Sequence, residues 1–169
     1  KEDFSEEAYF DVIRKKTAAL FKASSQSGAV SVGAVQEEVM KAGLLGEMIG
    51  IAFQIKDDIF DYFESSELGK PTGNDMLEGK LTLPALYVLN QTGDDSLKQT
   101  ALKIRSLEAS KEEIANFVET VKEKGGIEYA TRMMYEFRDK ALALVPASAD
   151  SSLKEALTAY IDYVIERNK

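Results

Sequence analysis

The residues Phe53-Gln54-Ile55-Lys56-Asp57-Asp58-Ile59-Phe60-Asp61-Tyr62 concentrate three carboxylates in one short stretch. At 100° per residue, Asp57, Asp58 and Asp61 fall within about 100° of arc around Gln54, on one stripe of a helix. Met48, Ala52, Ile55, Ile59, Phe60, Tyr62 and Phe63 cover the rest of the wheel, Lys56 excepted, so the helix reads as buried on most sides. Like charges at this spacing cost ~0.2–0.5 kcal/mol per pair at a wet surface, and more where water is scarce. Hard divalent cations are the natural compensation, because Mg²⁺ takes a few carboxylate oxygens together with waters and ligand phosphates. A solvated acidic face is the plain alternative, and the apolar background argues against it.

The loop that follows, Leu68-Gly69-Lys70-Pro71-Thr72-Gly73-Asn74-Asp75-Met76-Leu77-Glu78-Gly79-Lys80, sets two lysines among glycines and small polar residues. Glycine lets backbone approach a ligand closely, and lysine is a mobile point charge for phosphate. Alone, such a loop is an ordinary solvated connection; beside the acidic stripe it reads as a diphosphate clamp. Upstream, Lys16 lies at the margin of an apolar arc and Thr17 inside it, so the pair is expected to point inward. A snorkelling lysine beside a core threonine is the alternative there. Gly43, Gly46 and Gly50 precede the stripe at near-helical spacing and fit either close helix approach or a cap and turn.

The elements that must position these groups are helical. Asp3 with Glu6 fits a capping box, and Tyr9, Phe10, Ile13, Leu20 and Phe21 share one arc, which predicts a helix over 6–24. Gln26-Ser27-Gly28 reads as a short connection, and a second helix runs from about Val32 to Glu64 with a break near Gly43 or Gly46. Residues 65–81 lose periodicity, giving an unusually long loop. Thr82-Leu83-Pro84 opens a helix to about Asn90, since Pro is tolerated in a first turn. Further starts are marked by Asp94-Asp95, Ser110 with Glu113, Gly125-Gly126, and Ser152 with Glu155. Ile127, Ala130, Met134, Phe137, Ala141 and Val145 form one core stripe, and Leu153, Leu157, Tyr160, Ile161 and Val164 another. The expectation is one all-α domain over 1–169, an antiparallel helical bundle.

Composition narrows the chemistry. The chain has 169 residues, with 44% apolar and 30% charged, in the range of globular domains. Its 21 Lys and Arg against 29 Asp and Glu leave a net charge of −8, which disfavours nucleic acid and anionic membrane as partners. With neither Cys nor His, thiolate nucleophiles, imidazole bases and zinc or iron–sulfur sites are excluded. No run approaches the ~18 apolar residues of a membrane span, so a cytoplasmic protein with no stable span is expected. The chain starts at Lys1-Glu2-Asp3-Phe4, without Met and directly before a helix, as a segment of something longer would.

Together, F-Q-I-K-D-D-I-F-D-Y and G-K-P-T-G-N-D-M-L-E-G-K-L-T-L-P-A-L resemble the second aspartate-rich region and following loop of the trans-isoprenyl diphosphate synthases, particularly the long-chain, octaprenyl-type polyprenyl synthases. The match extends upstream through Tyr9 and Lys16-Thr17 and downstream through Gly125-Gly126-Ile127-Glu128-Tyr129-Ala130, over the whole chain as the C-terminal half of such an enzyme. The resemblance implies an isoprenoid synthase-like helical bundle and Mg²⁺-dependent condensation of isopentenyl diphosphate with an allylic diphosphate, usually in a homodimer. It implies metal binding by Asp57, Asp58 and Asp61, with direct contact strongest for Asp57, and diphosphate binding by Lys16, Lys70 and Lys80. Thr17 and Gln54 match polar groups facing the developing allylic cation, and Asp75 matches an acidic loop position.

The family's first Asp-Asp-x-x-Asp motif has no counterpart in the 169 residues, and Asp94-Asp95 lies in a polar turn. The chain alone is therefore expected to be inactive in elongation and its parent active. Three other readings compete: a non-catalytic subunit of a heteromeric synthase, an all-α terpene cyclase, and a helical interaction domain. The intact aspartates argue against the first, and the absence of an Asn/Ser/Glu metal triad in the loop argues against the second.

Overall fold

The computed structural model describes residues 4–63 and 72–166, and every regular element among them is helical, as expected. The chain divides into two compact units, one built from residues 1–9 and 57–131, the other from 10–56 and 132–168.

The first helical stretch begins in the first unit and is not uniform as it runs through the second. α1 (Glu6–Ile13) passes into a π turn (Arg14–Ala18) and then α2 (Ala19–Ser31). The π turn inserts one extra residue, so the buried series steps five places, from Ile13 to Ala18, where an α-helix steps four. This overturns the arc drawn for Leu20, which is 71% exposed, while Phe21 turns onto Phe53 with ring centroids 5.3 Å apart. It also separates Lys16 from Thr17: Lys16 is exposed and only Thr17 turns inward. The helix continues through Gln26-Ser27-Gly28, and the chain turns instead at Gly33, with φ +75°.

α3 (Gln36–Phe60) is unbroken. Its glycines serve contact: a Cβ on Gly46 would lie 2.5 Å from the Phe21 carbonyl oxygen, and one on Gly50 2.6 Å from Ala18 Cα. Both helix backbones meet where side chains are missing, so close approach decides between the two readings of these glycines. Elsewhere in this unit Phe10 packs on Phe137, and Arg138 reaches Asp162 at 2.6 Å, tying α8 (Gly126–Ala143) to α9 (Ser151–Glu166). α9 starts ahead of Ser152, because the Asp150 carboxylate accepts from the Leu153 amide at 2.8 Å. Ile161 and Val164 are buried as expected, whereas Leu153 and Tyr160 are exposed.

The first unit contains α4 (Asn74–Leu77), α5 (Leu83–Thr92), α6 (Asp95–Arg105) and α7 (Lys111–Glu123). The predicted starts hold for local reasons. Thr82 precedes α5 with Pro84 in the first turn, the Asp94 carboxylate accepts from the Ser96 and Leu97 amides, and Ser110 with Glu113 closes a full capping box. Asp3 lies outside the described residues, and α1 is instead capped by the Ser5 hydroxyl, which accepts from the Ala8 amide at 3.1 Å. The core of this unit includes Leu83, Ala85, Leu86, Val88 and Leu89 with Phe117, Val118 and Val121. Two long-range bonds anchor the N-terminal stretch here, from the Asn90 amide to the Phe4 carbonyl and from the Tyr129 hydroxyl to Glu6. Among the described residues no helix is long and apolar enough to cross a membrane.

Candidate functional site

The last turn of α3 belongs to the first unit and carries Asp57 and Asp58. Asp57 is half-buried; Asp58 is 4% exposed, an unusual place for a carboxylate. The Tyr9 hydroxyl, itself buried, donates to Asp58 Oδ2 at 2.6 Å, in the range of a charge-assisted bond. Burial raises the Tyr9 phenol well above its usual 10, with the charge and hydrogen bond of Asp58 adding to it. Tyr62, fully buried beside them, is raised as well, again chiefly by burial.

α3 ends at Phe60, with the amides of Tyr62 and Phe63 reaching back three residues in a tight turn, and Asp61 is the first residue beyond it. Its two carboxylate oxygens accept from the Asn74 and Asp75 amides at 3.0 and 2.9 Å, while its own carbonyl accepts from Gly73 at 2.8 Å. Gly73 has φ +79° and packs where a Cβ would lie 2.8 Å from Ile114, so the turn needs glycine on both counts. Asp61 thus fastens α4 to the end of α3. This is why the long loop is not wholly irregular: residues 74–77 form one helical turn capped from the acidic motif.

Beyond α4 the Lys80 amide donates to the Asp75 carbonyl at 2.8 Å. The Lys80 ammonium is exposed, paired with Glu78, and raised above its usual range by that pairing first, with Asp75 and Asp58 contributing. The first unit therefore gathers Asp58, Asp61, Asp75 and Lys80, while Lys70 lies outside the described residues. Among the described residues no three acidic side chains converge into a protein-only metal cage. That donor set still suits Mg²⁺, which keeps several waters and takes one or two carboxylates beside substrate phosphates.

In the second unit, the Thr17 hydroxyl donates to Gln54 Oε1 at 2.7 Å, joining the π turn to α3. Glu47, 8% exposed and two turns before Gln54, accepts from Arg14 Nε at 3.1 Å and Lys22 Nζ at 2.8 Å. Arg14 opens the π turn and Lys22 lies in the first turn of α2 beyond it, so one buried carboxylate ties the π turn and the helix that follows to α3. The sequence reading missed this clamp. Its signal was present, since Glu47 is the one charged residue between Lys41 and Lys56, and a lone charge on an apolar helix needs a partner.

Known proteins match over this same chain. The family described as Polyprenyl synthetase matches residues 1–121. The short chain isoprenyl diphosphate synthase of Methanothermobacter thermautotrophicus is 34% identical over 98% of this chain and 50% of its own length. Among solved structures, the geranylgeranyl pyrophosphate synthase of Bacteroides thetaiotaomicron is 57% identical with a TM-score of 0.93, over 99% of this chain and 55% of that one. The polyprenyl synthase of Caulobacter crescentus, solved with calcium and isoprenyl diphosphate, is 31% identical with a TM-score of 0.85, over 99% and 52%. The chain spans about half the length of the curated relatives it matches.

Proposed function

The chain belongs to the polyprenyl synthetase family, and from that premise we propose that it is the C-terminal half of a trans-isoprenyl diphosphate synthase that condenses isopentenyl diphosphate with an allylic diphosphate. The observation that carries the reading is the grip of Asp61 on the Asn74 and Asp75 amides, which brings a loop bearing Asp75 and Lys80 to the aspartate-bearing end of α3. Acidic and basic groups in one place suit a diphosphate held with divalent cations, and the Caulobacter relative was solved with that kind of pair.

In this reading Asp57, Asp58 and Asp61 would hold Mg²⁺, Asp57 foremost. Such an ion neutralises charge on the departing diphosphate. The family resemblance assigns Lys16, Lys70 and Lys80 to the diphosphate oxygens. The allylic carbon–oxygen bond breaks with its electron pair leaving on diphosphate, and the double bond of isopentenyl diphosphate supplies electrons for the new carbon–carbon bond. The resemblance assigns to Thr17 and Gln54, which are hydrogen-bonded to each other, the role of polar groups that stabilise the cationic carbon. The proton lost from the adduct goes to the released diphosphate, so the lack of His and Cys is no obstacle. Asp75 adds negative charge beside the lysines. Following the family resemblance, we place the parent in the cytoplasm as a homodimer, with the 169-residue chain inactive by itself because it carries no second Asp-Asp-x-x-Asp motif.

The test uses the full-length protein that carries this chain. Asp57→Asn with Asp58→Asn is expected to lower turnover by about 100-fold or more while leaving the thermal melt in place. Turnover close to that of the unaltered protein would overturn the assignment. The isolated chain, given isopentenyl and farnesyl diphosphates, is expected to yield no product; elongation by it would overturn the inactivity of the half.

A further inference from the structure

We propose that Tyr9 is a positioning residue for the cation site: its hydroxyl locks the buried Asp58 carboxylate so that the aspartates at the end of α3 are preorganised for a divalent ion. The inference rests on the reading of that site as a cation and diphosphate site. Three observations carry it. Asp58 and Tyr9 are both buried, and their bond of 2.6 Å joins residues 49 apart in sequence, so neither helix can be displaced without breaking it. Phenylalanine would fill the same apolar space, so the hydroxyl is what the tyrosine adds there. The ring swings on only two torsions and its helix is anchored in the same unit through Glu6 to Tyr129 and the Phe4 carbonyl to Asn90, which makes it a stiff support.

The chemistry of the donor matters. A phenol orients a carboxylate while leaving its negative charge in place for an external cation, which a lysine or arginine in the same position would cancel. Support of this kind around metal ligands is worth about 10–100-fold in metal affinity.

The experiment is a titration of the full-length protein with Mn²⁺ in the presence of inorganic pyrophosphate, followed by electron paramagnetic resonance below the melting midpoint of every variant. Tyr9→Phe is expected to weaken Mn²⁺ binding by about 10-fold or more and to raise the Mg²⁺ needed for half-maximal turnover, with activity recovered at high Mg²⁺. Tyr9→Met fills the space without a donor and is expected to behave alike. If both variants melt earlier yet bind Mn²⁺ like the unaltered protein, Tyr9 merely fills the core and the inference is overturned. Asp57→Asn separates this from failure of the site reading. Loss of Mn²⁺ binding in Asp57→Asn beside normal binding in Tyr9→Phe overturns only the role of Tyr9. Normal binding in Asp57→Asn removes the cation site itself, and the inference with it.

Discussion

The two units each bury a carboxylate of α3, and they treat it in opposite ways. Glu47 in the second unit is met by Arg14 and Lys22, whereas Asp58 and Asp61 in the first are met by a phenol hydroxyl and two backbone amides. A cation both orients a carboxylate and cancels its charge; a neutral donor orients it and leaves the charge to act elsewhere. The first arrangement is a staple for a π turn; the second orients its carboxylates through neutral donors, as the proposed cation site requires. Burial alone therefore does not separate the two carboxylates, and on the proposed function the identity of the donor does.

The largest effect tests the mechanical side of that contrast. Gly50→Val puts a side chain where even a Cβ lies 2.6 Å from Ala18 Cα, so the backbones of α3 and the π turn must part. A loss of about 3 kcal/mol is expected in a urea melt, and retention of stability would mean the close approach is not what holds the π turn. Asp58→Asn comes next: it keeps an oxygen for the Tyr9 hydroxyl and removes the charge, so turnover of the full-length protein should fall about 100-fold, near 3 kcal/mol, with stability changed by less than about 1 kcal/mol. Glu47→Gln should invert that pattern, costing about 1–2 kcal/mol of stability because two charge-assisted bonds weaken, while Mn²⁺ affinity stays unchanged. If the two variants gave the same pattern, the contrast would be broken.

The smallest expected effect lies outside both networks. Glu113 is held below its ordinary 4.5 by Lys103 first and by the Ser110 amide of its capping box, and Asp150 below 3.8 by the Leu153 amide. Depressed carboxylates contribute stability above their unfolded values and lose it as pH falls through their folded ones. The melting temperature should thus be flat through neutral pH and decline slightly below about pH 4.5. Lys103→Ala is expected to shrink that decline, as a pH series of thermal melts would register.

Much of this protein was legible from residues near one another in the chain. Helix starts at Asp94, Ser110 and Gly126, Pro84 in a first turn, the all-α class and the acidic motif each depend on contacts within a few positions, and hydrogen-bonded caps operate over that range. The carboxylates and lysines also limited the chemistry once His and Cys were absent. Other features depended on packing at long range. The π turn shifted the register that exposes Leu20, close contact meets α3 at Gly43, Gly46 and Gly50, and the carboxylate of Asp61 caps α4 from 13 and 14 residues away. Tyr9 found Asp58 across 49 residues and Glu47 found Arg14 and Lys22 across 33 and 25. Periodicity assumes a straight helix and sees one element at a time. Which donor reaches a buried charge is decided only when two elements meet, because the cost of leaving that charge unpaired is set by the surroundings that folding creates.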